Sequence, residues 1–228
     1  MHDVDPCFGH ASSECQLRNA DLGRVKLLDF RFRALLGEDA WARLPVAVQR
    51  RFSKRLTPGH VVLYHGRVVA TRMNLAGRIF SVITRLIGSP LPRRHCEGGA
   101  AVVTVSEAGS GAGQIWTRTY CDGGQFPQVI HSEKRFAGST GLEEHIGYGI
   151  GMRLKVGVVA GALVFSSAGY FFCPFAHLRI SIPQLLSPGR LEVIHRDEKD
   201  GSFIFEMKLT HRVFGRLVSQ IVRFHDVG

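Results

Sequence analysis

A chain of 228 residues with 45% apolar and 21% charged side chains has the composition of an ordinary globular protein, one sizeable domain or two small ones, and excludes a low-complexity chain. Its 29 Lys and Arg against 19 Asp and Glu give a formal charge of +10, which eases contact with anionic partners. The basic residues are spread thinly, and the small knots at 50–55 and 93–95 are not interleaved with aromatics, so nucleic acid is not an expected partner.

Residues 1–24 are polar and irregular and read as a flexible leader, with no apolar run of the signal-peptide kind; residues 25–228 read as one β-rich domain. Cysteines stand at 7, 15, 96, 121 and 173, an odd number with no C-x-x-C pair. They indicate neither a disulfide framework nor a zinc site and suit reduced thiols in a cytoplasmic protein. No cofactor or metal is expected.

In chain order, Leu28, Phe32, Leu35 and Leu36 recur at helical spacing, with Gly37 as the stop. A second helix is predicted from Pro45, with Val48 and Phe52 on one side and Gln49, Arg50, Arg51 and Lys54 facing outward. Residues 61–73 read as a hairpin turning at His65-Gly66. Ala76 to Ile87 places Ile79, Phe80, Ile83, Leu86 and Ile87 on one face of an amphipathic helix, and 88–99 follows as a rim or lid. Strands are then predicted at 101–107, 114–121, 128–136 and 142–146, separated by glycine-rich turns. Further strands are predicted at 178–182, 191–196 and 202–209, and the alternation in 215–226 favours a last one.

The stretch from Val156 to Ala176 is the ambiguous one, because 21 residues pass without an ionisable side chain. As a helix it would be about 30 Å long, the thickness of a bilayer core. Strands fit better. The run is rich in β-branched and aromatic residues, its glycines weaken a helix, and Ala160-Gly161 and Ala168-Gly169 sit where a turn or a bulge belongs. The flanks at 152–155 and 177–182 also alternate with a period of two. The fold expected is mainly β: a curled antiparallel sheet or barrel-like meander, with a few short helices in the N-terminal part.

No catalytic constellation is legible. Gly109-Ser110-Gly111-Ala112-Gly113 and Gly147-Tyr148-Gly149-Ile150-Gly151 are each followed by a predicted strand, whereas a dinucleotide loop needs a helix N-terminus. Glu143-Glu144-His145 is not a zinc motif. In a barrel, half of each strand faces the interior, and polar side chains on those faces are the candidates for ligand contact. Trp116, Arg118 and Tyr120 share one strand face, and Arg118 could hold a carboxylate or phosphate; the plainer reading is an exposed arginine, or one paired with Glu133 or Glu144. Phe165, Tyr170, Phe172 and Phe205 are the expected apolar lining, with Gln220 a further polar candidate and His211 and Glu206 weaker ones.

The order of several short motifs resembles the bacterial DUF4166 family over roughly residues 30–226. They are Phe32-Arg33-Ala34-Leu35-Leu36-Gly37, Trp41, Leu44-Pro45, Trp116-x-Arg118, Gly149-x-Gly151-Met152-x-Leu154, Gly169-Tyr170-Phe171, Ile182-Pro183, Pro188-Gly189 and His211-x-x-Phe214-Gly215-x-Leu217. That family carries no assigned activity. The resemblance implies a soluble domain similar to modules fused behind NAD(P)-binding reductase-like domains. From the strand-rich chain, its aromatic-rich interior and the absence of a catalytic constellation, the leading expectation is a β-domain binding a small apolar or amphipathic ligand in its interior. The alternative is an enzyme or accessory domain working with a separately encoded reductase-like partner. A third reading, membrane association, rests on the uncharged run and the basic surplus, and is the least favoured.

Overall fold

The computed structural model describes residues 28–57, 59–87, 91–92, 97–109, 113–121, 126–175 and 178–226. The leader, most of the 88–99 loop and the tips of the turns at 110–112 and 122–125 lie outside them.

Three short helices, α1 (Arg31–Leu36), α2 (Glu38–Ala42) and α3 (Val46–Phe52), precede the sheet. Gly37 ends α1 with φ at 77°, a conformation only glycine takes without strain. After β1 (Val61–Met73) comes α4 (Leu75–Ile83), continued by a 3₁₀ turn over Thr84–Ile87. Ten further strands follow: β2 (Ala100–Glu107), β3 (Gly113–Tyr120), β4 (Gln128–Arg135), β5 (Glu143–Gly147), β6 (Ile150–Val159), β7 (Ala162–Phe175), β8 (Leu178–Ile182), β9 (Arg190–Asp197), β10 (Ser202–His211) and β11 (Gly215–Asp226).

Neighbours run antiparallel in the order β6-β5-β4-β3-β2-β1-β11-β10-β9-β7, and β6 pairs with β7, which closes a ten-stranded barrel. Strand β8 lies outside the ring and, among the described strands, is hydrogen-bonded only to the second half of β7, whose first half pairs with β9.

The uncharged run is the β6–β7 hairpin. Its turn is Ala160-Gly161, with φ of 49° and 78°, the two positive values that a two-residue hairpin matching strand twist requires. Opposite Met152–Leu154 the register of β7 slips by one residue at Ala168-Gly169, with Gly169 at φ 132°. The bulge lets both Phe165 and Tyr170 turn inward, although their odd spacing would put them on opposite faces of a regular strand. Among the described residues no helix is long and apolar enough to cross a membrane.

Residues 61–73 are one continuous strand instead of a hairpin, because β1 is held along both edges by β2 and β11. Gly66 marks close approach here, not a turn: a Cβ on it would stand 2.0 Å from the Arg223 carbonyl oxygen. Gly66→Ala is accordingly expected to lower stability by about 1–3 kcal/mol through forced displacement of β11. A urea unfolding curve superimposable on the parent's would refute that account of the glycine.

The two ends of the barrel are covered differently. Phe32, Trp41, Val48 and Phe52 of the N-terminal helices, with Leu44 between α2 and α3, pack against Leu142, Leu154, Leu163 and Phe165. Arg51 fastens this plug: it is buried, its Nη1 donates to Asp197 at 3.0 Å, and its Nε and Nη2 grip both oxygens of Asp226 at 2.7–3.0 Å. The guanidinium also lies 4.2 Å over the ring of Phe203. The sequence pattern had put Arg51 in solvent with Arg50. Burial there is tolerable because two carboxylates compensate the charge. At the opposite end, α4 rests on Leu217 of β11, so close that a Cβ on Gly77 would meet the Leu217 carbonyl oxygen at 2.0 Å.

Candidate functional site

Between the plug and α4 the barrel encloses a cavity of about 270 Å³. Its wall is overwhelmingly apolar, with Val103, Met152, Leu154, Val193, Met207 and Phe224 among the lining residues. It opens where the lining becomes accessible, at exposed Leu186 and half-exposed Phe80, Ile146, Ile150, Ile182 and Pro188.

Of the residues singled out from the sequence, Trp116, Arg118, Tyr120, Phe165, Tyr170, Phe205 and Gln220 all line this one cavity. Period-two alternation brings the β3 trio to the same face; β7, β10 and β11 contribute the others. Phe172 does not line the cavity. It shares the face of Tyr170, opposite Ile150, but stands two residues further along β7, beyond the rim, and is 38% exposed. His211 and Glu206 are also elsewhere: His211 stacks on Phe214 at the β10–β11 turn, and Glu206 pairs with Lys208 at 2.7 Å.

One polar cluster interrupts the apolar wall. Arg118 donates through Nη2 to Ser132 Oγ at 2.6 Å and reaches Glu144 Oε1 at 3.4 Å. Lys134 Nζ lies 3.0 Å from the same Glu144 oxygen and 4.8 Å over the Trp116 ring. Burial by itself raises the Glu144 carboxyl, but the attraction of Lys134 and Arg118, with the Ser132 hydroxyl, brings it down to about 2. Burial lowers the Lys134 ammonium, opposed by Glu144 and reinforced by Arg118. Both partners move down, which is consistent: the carboxylate keeps its charge against two competing cations, and Lys134 holds the proton most easily lost. Arg118 Nε is buried without a hydrogen-bond partner among the described residues. The cluster can therefore accept one more anion, which would also secure the proton on Lys134.

Lys134 and Ser132 were missed as site residues, although their signal is present. In β4, Gln128, Ile130, Ser132 and Lys134 are the buried set of a strict alternation. A lysine on the same face as Ile130 had to enter the interior and find a partner there. Two other polar lining residues are already engaged: Gln220 donates to Thr71 Oγ1 at 3.2 Å, and the Tyr170 hydroxyl, pushed up to about 12 by burial, is hydrogen-bonded with Ser167.

Below the cavity, towards the plug, His195 is fully buried among Phe52, Phe203 and Phe205 at ring distances of 4.8–5.1 Å. Neither ring nitrogen has a hydrogen-bond partner among the described residues. Among those residues no three His, Cys, Asp or Glu side chains gather as a metal site.

A comparison with curated proteins finds no match to the chain. A family model described as a domain of unknown function, DUF4166, matches residues 44–224, which takes in α3 and the barrel to within two residues of the end of β11. The chain belongs to the DUF4166 family, and the cavity with its Arg118–Lys134–Glu144 cluster lies inside the matched region.

Proposed function

We propose that the barrel binds a single-headed amphipathic molecule, with its apolar chain in the cavity and an acidic headgroup, carboxylate or phosphate, against Arg118 and Lys134. The observation that carries this reading is the cluster's composition: two cations share the carboxylate of Glu144 in a mostly apolar wall, and Arg118 Nε is left over among the described residues. Stability alone gives no reason to bury a surplus cation, which is costly without a partner. A mostly apolar cavity of about 270 Å³ suits a medium-length acyl chain.

Decanoate is thus a suitable probe, with decanol as its uncharged counterpart. Calorimetric titration is expected to show decanoate binding more tightly than decanol, and Arg118→Met weakening decanoate roughly tenfold to a hundredfold while leaving decanol unchanged. Equal affinity for acid and alcohol, or an Arg118→Met protein that is folded and binds decanoate as the parent does, would remove the headgroup assignment.

A further inference from the structure

We propose that the face around the cavity mouth docks on an anionic membrane surface. The inference begins with how α4 is seated. The residues it buries are Gly77, Ser81 and, in the following turn, Thr84, so its small side chains face the barrel. Its large ones, Leu75, Ile79, Val82, Ile83 and then Leu86, face solvent. A surface helix ordinarily does the reverse. The close fit of Gly77 on the Leu217 carbonyl fixes this orientation, because turning the helix would drive a side chain into the β11 backbone.

Two neighbouring turns extend the apolar face. Asn74, the N-cap of α4, accepts from Gly77 N and donates through Nδ2 to the Phe214 carbonyl at 2.8 Å, tying the helix to the β10–β11 turn with Val213 and Phe214 at its tip. Arg212 of that turn donates to Gln184 Oε1 at 3.2 Å, tying it in turn to the segment after β8 that carries Leu185 and Leu186. These nine apolar side chains are each 55–80% exposed. Phe80 and Thr84 of the helical segment and Leu186 of the last turn also line the cavity, so the face surrounds its mouth. An apolar area of this kind marks an interaction site.

Charge selects the occupant. Arg72, Arg78, Arg85, Arg212 and Arg216 are exposed on the same segments. The sequence has no Asp or Glu in 72–96, 178–191 or 207–219. Apolar side chains surrounded by arginine alone match the acyl boundary and the phosphates of a bilayer containing anionic lipid. This is contact with a surface, not a span, and it departs from the sequence-based expectation that a membrane is not a partner. Docking rests on the face alone. Passage of a ligand between bilayer and barrel rests in addition on the proposed occupancy of the cavity.

The test is co-sedimentation of the whole chain with vesicles of phosphatidylcholine alone or mixed with phosphatidylglycerol. Binding to the mixed vesicles is expected, weakening as salt is raised. Ile79→Glu combined with Leu86→Glu, neither of which lines the cavity, should reduce it roughly tenfold or more while decanoate affinity and urea stability stay as in the parent. Arg85→Glu should weaken binding to mixed vesicles more than to neutral ones. No sedimentation with mixed vesicles at low salt would overturn docking. So would a parent dimer that the Ile79→Glu, Leu86→Glu protein lacks, since the face would then be a contact between copies. Vesicle binding without decanoate binding would leave docking standing and remove the cavity reading; decanoate binding without vesicle binding would do the opposite.

Discussion

Arg51→Met is expected to destabilise the protein by about 3 kcal/mol, a large part of what usually separates a folded domain from its unfolded chain. The substitution keeps the apolar stem but leaves Asp197 and Asp226 side by side without their cation. Removing one partner of a buried pair typically costs about 3–5 kcal/mol; the lower figure applies here because the Asp226 side chain is 36% exposed and water screens it. Contact with Phe203 is lost as well. Urea midpoints measured at constant slope decide the matter. Arg51→Lys, which keeps the charge but not the two-carboxylate grip, should fall between parent and Arg51→Met. A methionine variant as stable as the parent would mean that the plug is held by its aromatic packing alone.

The second large effect is on acid stability. Burial, with the nearby Arg51 cation, brings the His195 imidazole down to about 3, whereas in an unfolded chain it titrates near ~6.5. Between those values the unfolded chain holds a proton that the folded one does not. The neutral ring therefore gives its full contribution above the unfolded value, and stability is lost as pH falls towards 3. From pH 7 to 5 the loss is about 2 kcal/mol. His145, lowered by burial and Arg135, acts with the same sign. Glu144, at about 2, adds a loss only below the ordinary glutamate value of 4.5. His195→Leu should remove most of the slope between pH 7 and 5. At pH 7 it should cost no more than about 1 kcal/mol, since it also removes two unpartnered nitrogens from an aromatic pocket. Unfolding curves for both proteins at the two pH values provide the check, and an unchanged slope would count against His195 as its source.

What the sequence disclosed, and what it withheld, divides by the range of the interaction. Strand positions and the Ala160-Gly161 turn follow from alternation and local backbone preference, both written in adjacent residues. Seven of the eight leading candidate residues reach the cavity: in β3 a period of two brings Trp116, Arg118 and Tyr120 to one face, whereas in β7 the Gly169 bulge is needed to bring Phe165 and Tyr170 together. Phe172 shares the face of Tyr170 but stands past the rim, because alternation gives the face of a strand residue and not how far along β7 the cavity extends. Arg51 and Arg50 are indistinguishable on a helix until Asp197 and Asp226 arrive from 146 and 175 residues away. Gly66 between two apolar runs has the appearance of a turn; only the nearness of Arg223 makes it a strand residue. For α4, helical periodicity revealed two unlike faces but carried no information on which of them meets the barrel.

Strand β1 lies between β2 and β11, with Tyr64 opposite Asp226. Among the described strands the earliest is thus completed by the latest, and during translation β1 waits with one edge unsatisfied until β11 has emerged from the ribosome. Loop closure over that separation is slow, and an open edge is a template for association with another chain. Biogenesis of this protein should consequently depend on chaperones that shield β1 during elongation, and substitutions weakening β11 should reduce soluble yield more than their effect on equilibrium stability implies.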